Sequence, residues 1–248
     1  MRFAIELTGI PIAVSTMYAE TAAKYRGFLT GRAGLFSVAA APEEIESERS
    51  LVSDYLGEQE AGVRPDADLE DQAVYHKIAE RLPEHDATLF HGSSLAVGGK
   101  GYVFAAASGV GKSTHTRLWR RCFGERVAMI NDDRPILRCT ESGVWIGGSP
   151  WQGKHDIGNN LTVPLAAICF LRRGPANRIA PLSAEEAYPL ILRQCYPCDE
   201  EEHAQRQLGL VERIAGSVSL YQLECNMDLE AAWVACAGMR ALDEEARK

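Results

Sequence analysis

The chain has no run approaching 20 apolar residues, the length a helix needs to cross a bilayer. Its first residues, MRFAIELTG, lack the apolar core and small-residue cleavage site of a secretory signal. There is no excess of basic residues either: 26 Lys and Arg stand against 34 Asp and Glu, a net charge of −8 at pH 7. Nucleic acids and anionic membrane surfaces are bound through a basic face, so neither is an expected partner. A disulfide framework is missing as well. The seven cysteines are odd in number and several sit in apolar stretches, as Cys169 does in AAICFL, which reads as reduced thiols in a cytoplasmic protein. The single CxxC, Cys195-Tyr-Pro-Cys198, has no second CxxC or HxxxH to complete a four-ligand zinc set. Its proline and the acids after it fit a helix boundary better. Internal repeats and low-complexity tracts are also absent.

What is present is ordinary for a globular protein: 248 residues, 46% hydrophobic and 24% charged, enough for one large domain with or without an appendage. The acidity is local. Residues 41–72 hold eleven acids against Arg49 and Arg64, more than the net charge of the whole chain. This stretch reads as a solvated face or a mobile loop.

Residues 2–14 alternate as two short strands broken at Gly9. Helical spacing of Tyr18, Ala22, Tyr25 and Phe28 predicts a helix over 15–28, with a strand over 35–40. An amphipathic helix over 69–82 is closed by Pro83. Strands are expected at 88–91 and 93–97, then an apolar run, Tyr102 to Ala106. A helix over 113–123 ends at Gly124, and a strand covers 126–130. Further on, 136–139 and 144–146 form a hairpin, and 164–171 is a central strand that residues 177–180 pair with. A capping box of Ser183 and Glu186 opens a helix over 184–195. Another helix spans 200–215, a strand 218–223, and Asn226 or Asp228 caps a final helix.

Residues 101–116, GYVFAAASGVGKSTHT, carry the chemistry. A buried strand breaks into Ser108-Gly109-Val110-Gly111-Lys112-Ser113-Thr114 and a helix follows, which is the context a phosphate-binding loop requires. Backbone N–H groups of such a loop and the positive end of the next helix cradle a polyphosphate. Lys112 reaches the outer phosphates and the Ser113 hydroxyl sits on Mg²⁺. Ala106 replaces the usual first glycine. The strand ending in Asn131-Asp132-Asp133 places two carboxylates on opposite sides, one suited to a metal and the other to a substrate. A plain turn or cap is the other reading of Asn-Asp-Asp.

From His91 to Asp133 the chain resembles the catalytic core of the HPr kinase/phosphorylase family. The resemblance rests on His91-Gly92, on Ala106 to Ser113, and on Ile130 to Arg134, in one order and at similar spacing. It implies a mixed α/β fold, a P-loop on a mixed β-sheet with flanking helices, like the HPr kinase C-terminal domain and phosphoenolpyruvate carboxykinase. Residues 87–248 would form this kinase-like domain and residues 1–86 an N-terminal α+β extension packed on the core. The resemblance further implies Mg-ATP-dependent transfer of a γ-phosphoryl group to a serine hydroxyl. Asp132 would accept the serine proton, Asp133 would hold the metal with Ser113, and His91 would lie near the transferred phosphate. For His91 a core histidine at a strand end is the alternative. Lys154 and Arg134 are candidate charge stabilisers, or else solvated surface cations.

No acid lies between Val144 and Lys154, where the family carries a further metal ligand. The loop Ser149-Pro150-Trp151-Gln152-Gly153-Lys154 resembles a branch of short HPr-kinase-like bacterial proteins, which implies a peptide or small-protein acceptor. The implied ligands are ATP and Mg²⁺; association with further copies of the chain stays open. Two other functions are compatible: a kinase or carboxykinase-like enzyme on a small metabolite, and a nucleotide-binding regulatory module without transfer chemistry.

Overall fold

The computed structural model describes residues 1–153 and 156–242. The chain divides into two compact units at Arg81/Leu82, a mixed α/β arrangement with one mixed sheet in each.

In the first unit, β1 (Arg2–Leu7) and β2 (Ile10–Ser15) form an antiparallel hairpin. Its two turn residues, Thr8 and Gly9, both have positive φ, the backbone that matches the twist of a two-residue hairpin. The helix expected over 15–28 is much shorter: α1 covers Ala19–Lys24, and a single 3₁₀ turn spans Arg26–Phe28. Ser15 is still in β2, so the strand takes the residues that helical spacing had claimed. β3 (Phe36–Ala39) joins β2 in parallel. The acidic stretch is helical, not a loop: α2 covers Pro42–Leu56 and α3 covers Glu58–Val63. Pro42 at the first helical position and the Glu44 carboxylate, which accepts from the Ala41 N–H at 2.7 Å, start α2. Nor is the stretch wholly solvated. On α4 (Asp66–Arg81), buried Glu70 accepts from the N–H groups of Met17 and Tyr18, and Asp71 accepts from the Tyr25 hydroxyl at 2.8 Å. These acids tie α4 to both ends of α1.

In the second unit, the strands are β4 (Ala87–Leu89), β5 (Ser93–Val97), β6 (Lys100–Ala105), β7 (Val127–Asn131), β8 (Ile136–Thr140), β9 (Gly143–Gly147), β10 (Thr162–Arg173), β11 (Arg178–Pro181) and β12 (Ser219–Cys225). The helices are α5 (Lys112–Phe123), α6 (Ala184–Leu192), α7 (Glu201–Ser217) and α8 (Leu229–Met239). Among the described residues the sheet runs β4-β8-β9-β10-β6-β5-β7, with β12 beside β10 and β11 beside β12. The long β10 is the hub. Residues 162–164 pair with β9, residues 167–173 pair in parallel with β12, and the other edge pairs in parallel with β6. Residues 177–180 were expected to pair with β10; β11 pairs with β12 instead, antiparallel from Arg178↔Glu224 to Pro181↔Tyr221.

Strict alternation in β6 fixes which face each side chain serves. Val103 and Ala105 join Ile168, Phe170, Leu210 and Ile214 in a core under α6 and α7. Tyr102 and Phe104 join Cys169, Trp119 and Ala232 in a core under α5 and α8. A three-layer sandwich results, with the sheet buried on both faces. Gly101 is glycine because Ile146 and Val163 lie over it; a Cβ there would overlap the Ile146 side chain.

A polar side chain lies against the second core. His115 is buried, with Phe104 packed edge-on at 4.5 Å between centroids and its Nε2 accepting from the Trp119 indole N–H at 3.1 Å. Its Nδ1 has no partner among the described residues. Burial lowers its pKa to about 3, so the imidazole is neutral in the fold and gains a proton on unfolding. The stability this contributes is complete above pH ~6.5 and falls as the pH drops toward 3, by up to ~1.4 kcal/mol per unit. Urea unfolding of wild type and His115→Gln between pH 7.5 and 4.5 should show the steeper loss only in wild type; equal slopes would refute the assignment.

Candidate active site

Four strand ends meet at one edge of the second sheet because β5 lies antiparallel between β6 and β7. Ser93, the first residue of β5, pairs with Phe104 near the end of β6, and Ser94 pairs with Asn131, the last residue of β7. The glycine loop after β6, the Asp132-Asp133 pair after β7 and His91-Gly92 before β5 are therefore neighbours. The end of β10, parallel to β6, adds Arg173.

The loop has the local geometry that its sequence implies. Gly109 and Gly111 take φ of +76° and +123°, values that side-chain-bearing residues seldom adopt, and α5 starts at Lys112. Ser108 and Gly109 are exposed and Val110 is half-buried. The Arg173 guanidinium donates to the carbonyls of Gly109 and, at 3.2 Å, Val110, which pins the loop tip to the end of β10. Lys112 is buried and folds back so that its ammonium donates to the Ala106 carbonyl at 3.1 Å. Ser113 and Thr114 occupy the first turn of α5, both half-buried.

The two aspartates differ. Asp132 is buried, and its Oδ1 accepts from the Ser93 hydroxyl at 2.6 Å. Ser93 Oγ in turn accepts from the Thr116 hydroxyl at 2.8 Å, and Thr116 Oγ1 lies 3.2 Å from the Ser113 carbonyl, so two hydroxyls lead from Asp132 to the first turn of α5. Asp132 Oδ2 faces Gly153, where a Cβ would lie 3.4 Å away. Asp133 is half-buried: its Oδ1 lies 3.4 Å from His91 Nε2 and its Oδ2 lies 3.4 Å from Arg134 Nε. The backbone of His91 is held by its N–H, which donates to the Gln194 carbonyl at 2.7 Å, while the Gly92 N–H donates to the Asp133 carbonyl at 3.0 Å.

Electrostatically these groups form one cluster. Burial lowers the Lys112 pKa and Arg134 lowers it further, whereas Asp133 and Asp132 oppose the shift. His91 is also lowered, first by burial and then by Lys112 and Arg134, against Asp133. A lowered His91 is a neutral imidazole at neutral pH, able to donate or accept a hydrogen bond. The structure thus brings His91, Lys112, Asp132, Asp133 and Arg134 together beside Ser108 to Thr114. Lys154 lies outside the described residues.

The sequence pointed to the two aspartates for chemistry, but the residue before them shapes this corner. Asn131, fully buried, accepts at Oδ1 from the N–H groups of Asp133 (2.8 Å) and Arg134 (2.6 Å). Its Nδ2 lies 3.1 Å from both the Ser149 carbonyl and the Ser149 hydroxyl and 3.3 Å from the Trp151 carbonyl. The Asn-Asp-Asp run is accordingly a side-chain-closed turn as well as a source of two carboxylates. Ser93, Thr116 and Arg173 were not singled out. Nothing local marks them; their roles follow from strand register.

The CxxC lies between α6 and α7. Cys195 is buried and Cys198 Sγ donates to Gln207 Oε1 at 3.4 Å. Among the described residues no group of three or more His, Cys, Asp or Glu is arranged to hold a metal ion, and no helix is long and apolar enough to cross a membrane.

No family model and no curated protein matches the chain. Among solved structures it is similar to the HPr(Ser) kinase/phosphatase from Coxiella burnetii, with 10% sequence identity and a TM-score of 0.34, over 64% of this chain and 96% of that one. A likeness at this level does not establish membership of a family.

Replacing Asn131 tests the turn. Asn131→Ala leaves two partly buried N–H groups without their acceptor and should cost about 2 kcal/mol of stability. Asn131→Asp keeps one acceptor but turns a carboxylate oxygen toward the Ser149 and Trp151 carbonyls, so it should be at least as damaging. Denaturant midpoints decide: a neutral Asn131→Asp would mean the amide contacts do not carry the turn.

Proposed function

We propose that the chain is a Mg-ATP-dependent kinase that transfers the γ-phosphoryl group to a serine hydroxyl of a peptide or small protein, on an HPr-kinase-like catalytic core. The observation that carries this reading is the meeting of the Lys112 loop with the Asp132-Asp133 pair and His91 at one sheet edge. A glycine loop alone binds phosphate; a carboxylate pair beside its lysine provides for transfer.

The residues fit the ligands they would hold. The Lys112 ammonium rests on a carbonyl of its own loop, a contact it can exchange for phosphate oxygens by rotating its side chain. The left-handed glycines leave the loop wall bare: nothing lies within 4 Å of a Cβ placed on Gly109. Mg²⁺ is commonly bound by one or two protein oxygens with phosphates and water completing the shell. Ser113 Oγ and the Asp133 carboxylate are the groups proposed for it. When bound, the ion neutralises charge on the transferring phosphates.

Asp132 is the proposed base. Ser93 fixes one of its oxygens, and the other lies under Gly153, where no side chain intrudes. A carboxylate oriented in this way can take the proton of a serine hydroxyl as the serine oxygen bonds to the γ-phosphorus and the bond from that phosphorus to the bridging oxygen breaks, releasing ADP. Lys112 and Arg134 offset the charge that builds on the phosphoryl oxygens, and the neutral His91 offers one of them a hydrogen bond. Lys154 is retained as a further cation in this role.

Two measurements test the reading. With Mg-ATP near a hundred times its Kd, wild type should gain about 2.7 kcal/mol, a melting rise of roughly 5–10 °C, and Lys112→Ala should lose it. The absence of any shift with millimolar ATP, GTP or pyrophosphate would sink the nucleotide site. Phosphoserine formation on a peptide library should fall by at least about a hundredfold in Asp132→Asn, with the ATP-induced melting shift retained. If Asp132→Asn instead loses the Mg²⁺ dependence of nucleotide binding, the roles of the two aspartates are reversed.

A further inference from the structure

Beside the first two turns of α5 lies a pocket of about 380 Å³ lined by Ser113, Thr114, Arg117, Arg120 and Ile157. Of these, Ser113 and Thr114 belong to the phosphate loop described above, whereas Arg117, Arg120 and Ile157 lie beyond it. The acid pair, His91 and Lys112 do not line it. Arg117 and Arg120 are exposed and make no ion pair or hydrogen bond among the described residues. Both point from a helix that carries Arg121 as well and no acid from Lys112 to Phe123, in a chain of net charge −8. Ile157, half-buried, packs on the core under α5 and gives the pocket one apolar wall.

We infer that this pocket receives the nucleoside half of the phosphoryl donor, with the purine stacked between a guanidinium and Ile157 and the innermost phosphate at Thr114. The inference rests on the nucleotide reading above. A donor whose outer phosphates meet Lys112 has its transferring end fixed on the side of His91 and Asp133. Its other end must leave past the first turn of α5, where the pocket begins. From Thr114 to Arg120 the helix rises about 9 Å, the scale of a nucleoside. Guanidinium planes stack on nucleobases, and an aliphatic side chain supplies the opposite face. Among the lining residues there is no carboxylate or amide to read a base edge. The pocket accordingly selects for a nucleoside over bare polyphosphate while discriminating little between adenine and guanine.

The test compares Mg²⁺ complexes of ATP, GTP and inorganic tripolyphosphate by calorimetry on wild type, on Arg117→Ala/Arg120→Ala and on Lys112→Ala. ATP and GTP should bind within about fivefold of each other and about tenfold or more tighter than tripolyphosphate. The double arginine variant, altered only at exposed positions, should lose that advantage while its tripolyphosphate affinity changes by less than about threefold. Lys112→Ala should weaken all three. Tripolyphosphate binding as tightly as ATP, or equal losses for ATP and tripolyphosphate in the double variant, would overturn the pocket assignment and leave the phosphate loop standing. Failure of all three ligands to bind wild type would overturn both.

Discussion

The site depends on the register of β5. A strand held antiparallel between two others must begin where its neighbours end, and a one-residue slip would turn every side chain to the other face. With Ser93 opposite Phe104 and Ser94 opposite Asn131, the Ser93 hydroxyl reaches Asp132 and the Ser94 hydroxyl pairs with the Asn131 backbone. The buried alternation of β6 enforces this register, because Phe104 and Val103 each have a core waiting on one face only. Burying one such side chain is worth roughly 1.5–3 kcal/mol, which makes a slipped pairing costly across several residues. The geometry of the candidate site is thus set by packing.

Around that register the polar groups are graded by depth. Asn131 and Asp132 are buried, Asn131 bonded at both ends of its amide and Asp132 held at one oxygen by Ser93, while His91, Asp133 and Arg134 are half-exposed, with Asp133 3.4 Å from each of the other two, longer than good charged hydrogen bonds. The outer groups can therefore change partners at little cost when a ligand arrives. The inner ones hold still. Such a division is what a site needs if it is to be preorganised and still admit a substrate.

Much of this was legible in the residues. Period-two alternation announced the strands, and the glycine spacing announced the loop and the helix after it. Asn-Asp-Asp marked the carboxylate pair. What escaped shares one physical cause, dependence on distant partners. The helices α2 and α3 present few apolar positions, so hydrophobic periodicity was silent there, and Glu70 and Asp71 looked solvated because the amides and the hydroxyl they bind lie about 50 residues away. The partner of β11 could not be chosen locally, since its contacts on β12, from Pro181 with Tyr221 to Arg178 with Glu224, lie far downstream in the chain. Asn131 was visible as a turn former, yet its amide partners come from Ser149 and Trp151.

The parallel pairing of β6 with β10 joins residues about 65 positions apart, Ala105 with Phe170. Closing so long a segment spends chain entropy before any contact rewards it, and parallel pairings of this kind form slowly. Arg173, which steadies the loop tip, sits three residues beyond Phe170 on the same strand. During folding, then, the loop gains its brace only once β10 has docked, and a chain that has built the hairpins and helices on either side is still without a finished site. The braced loop arrives late, with the docking of a single strand.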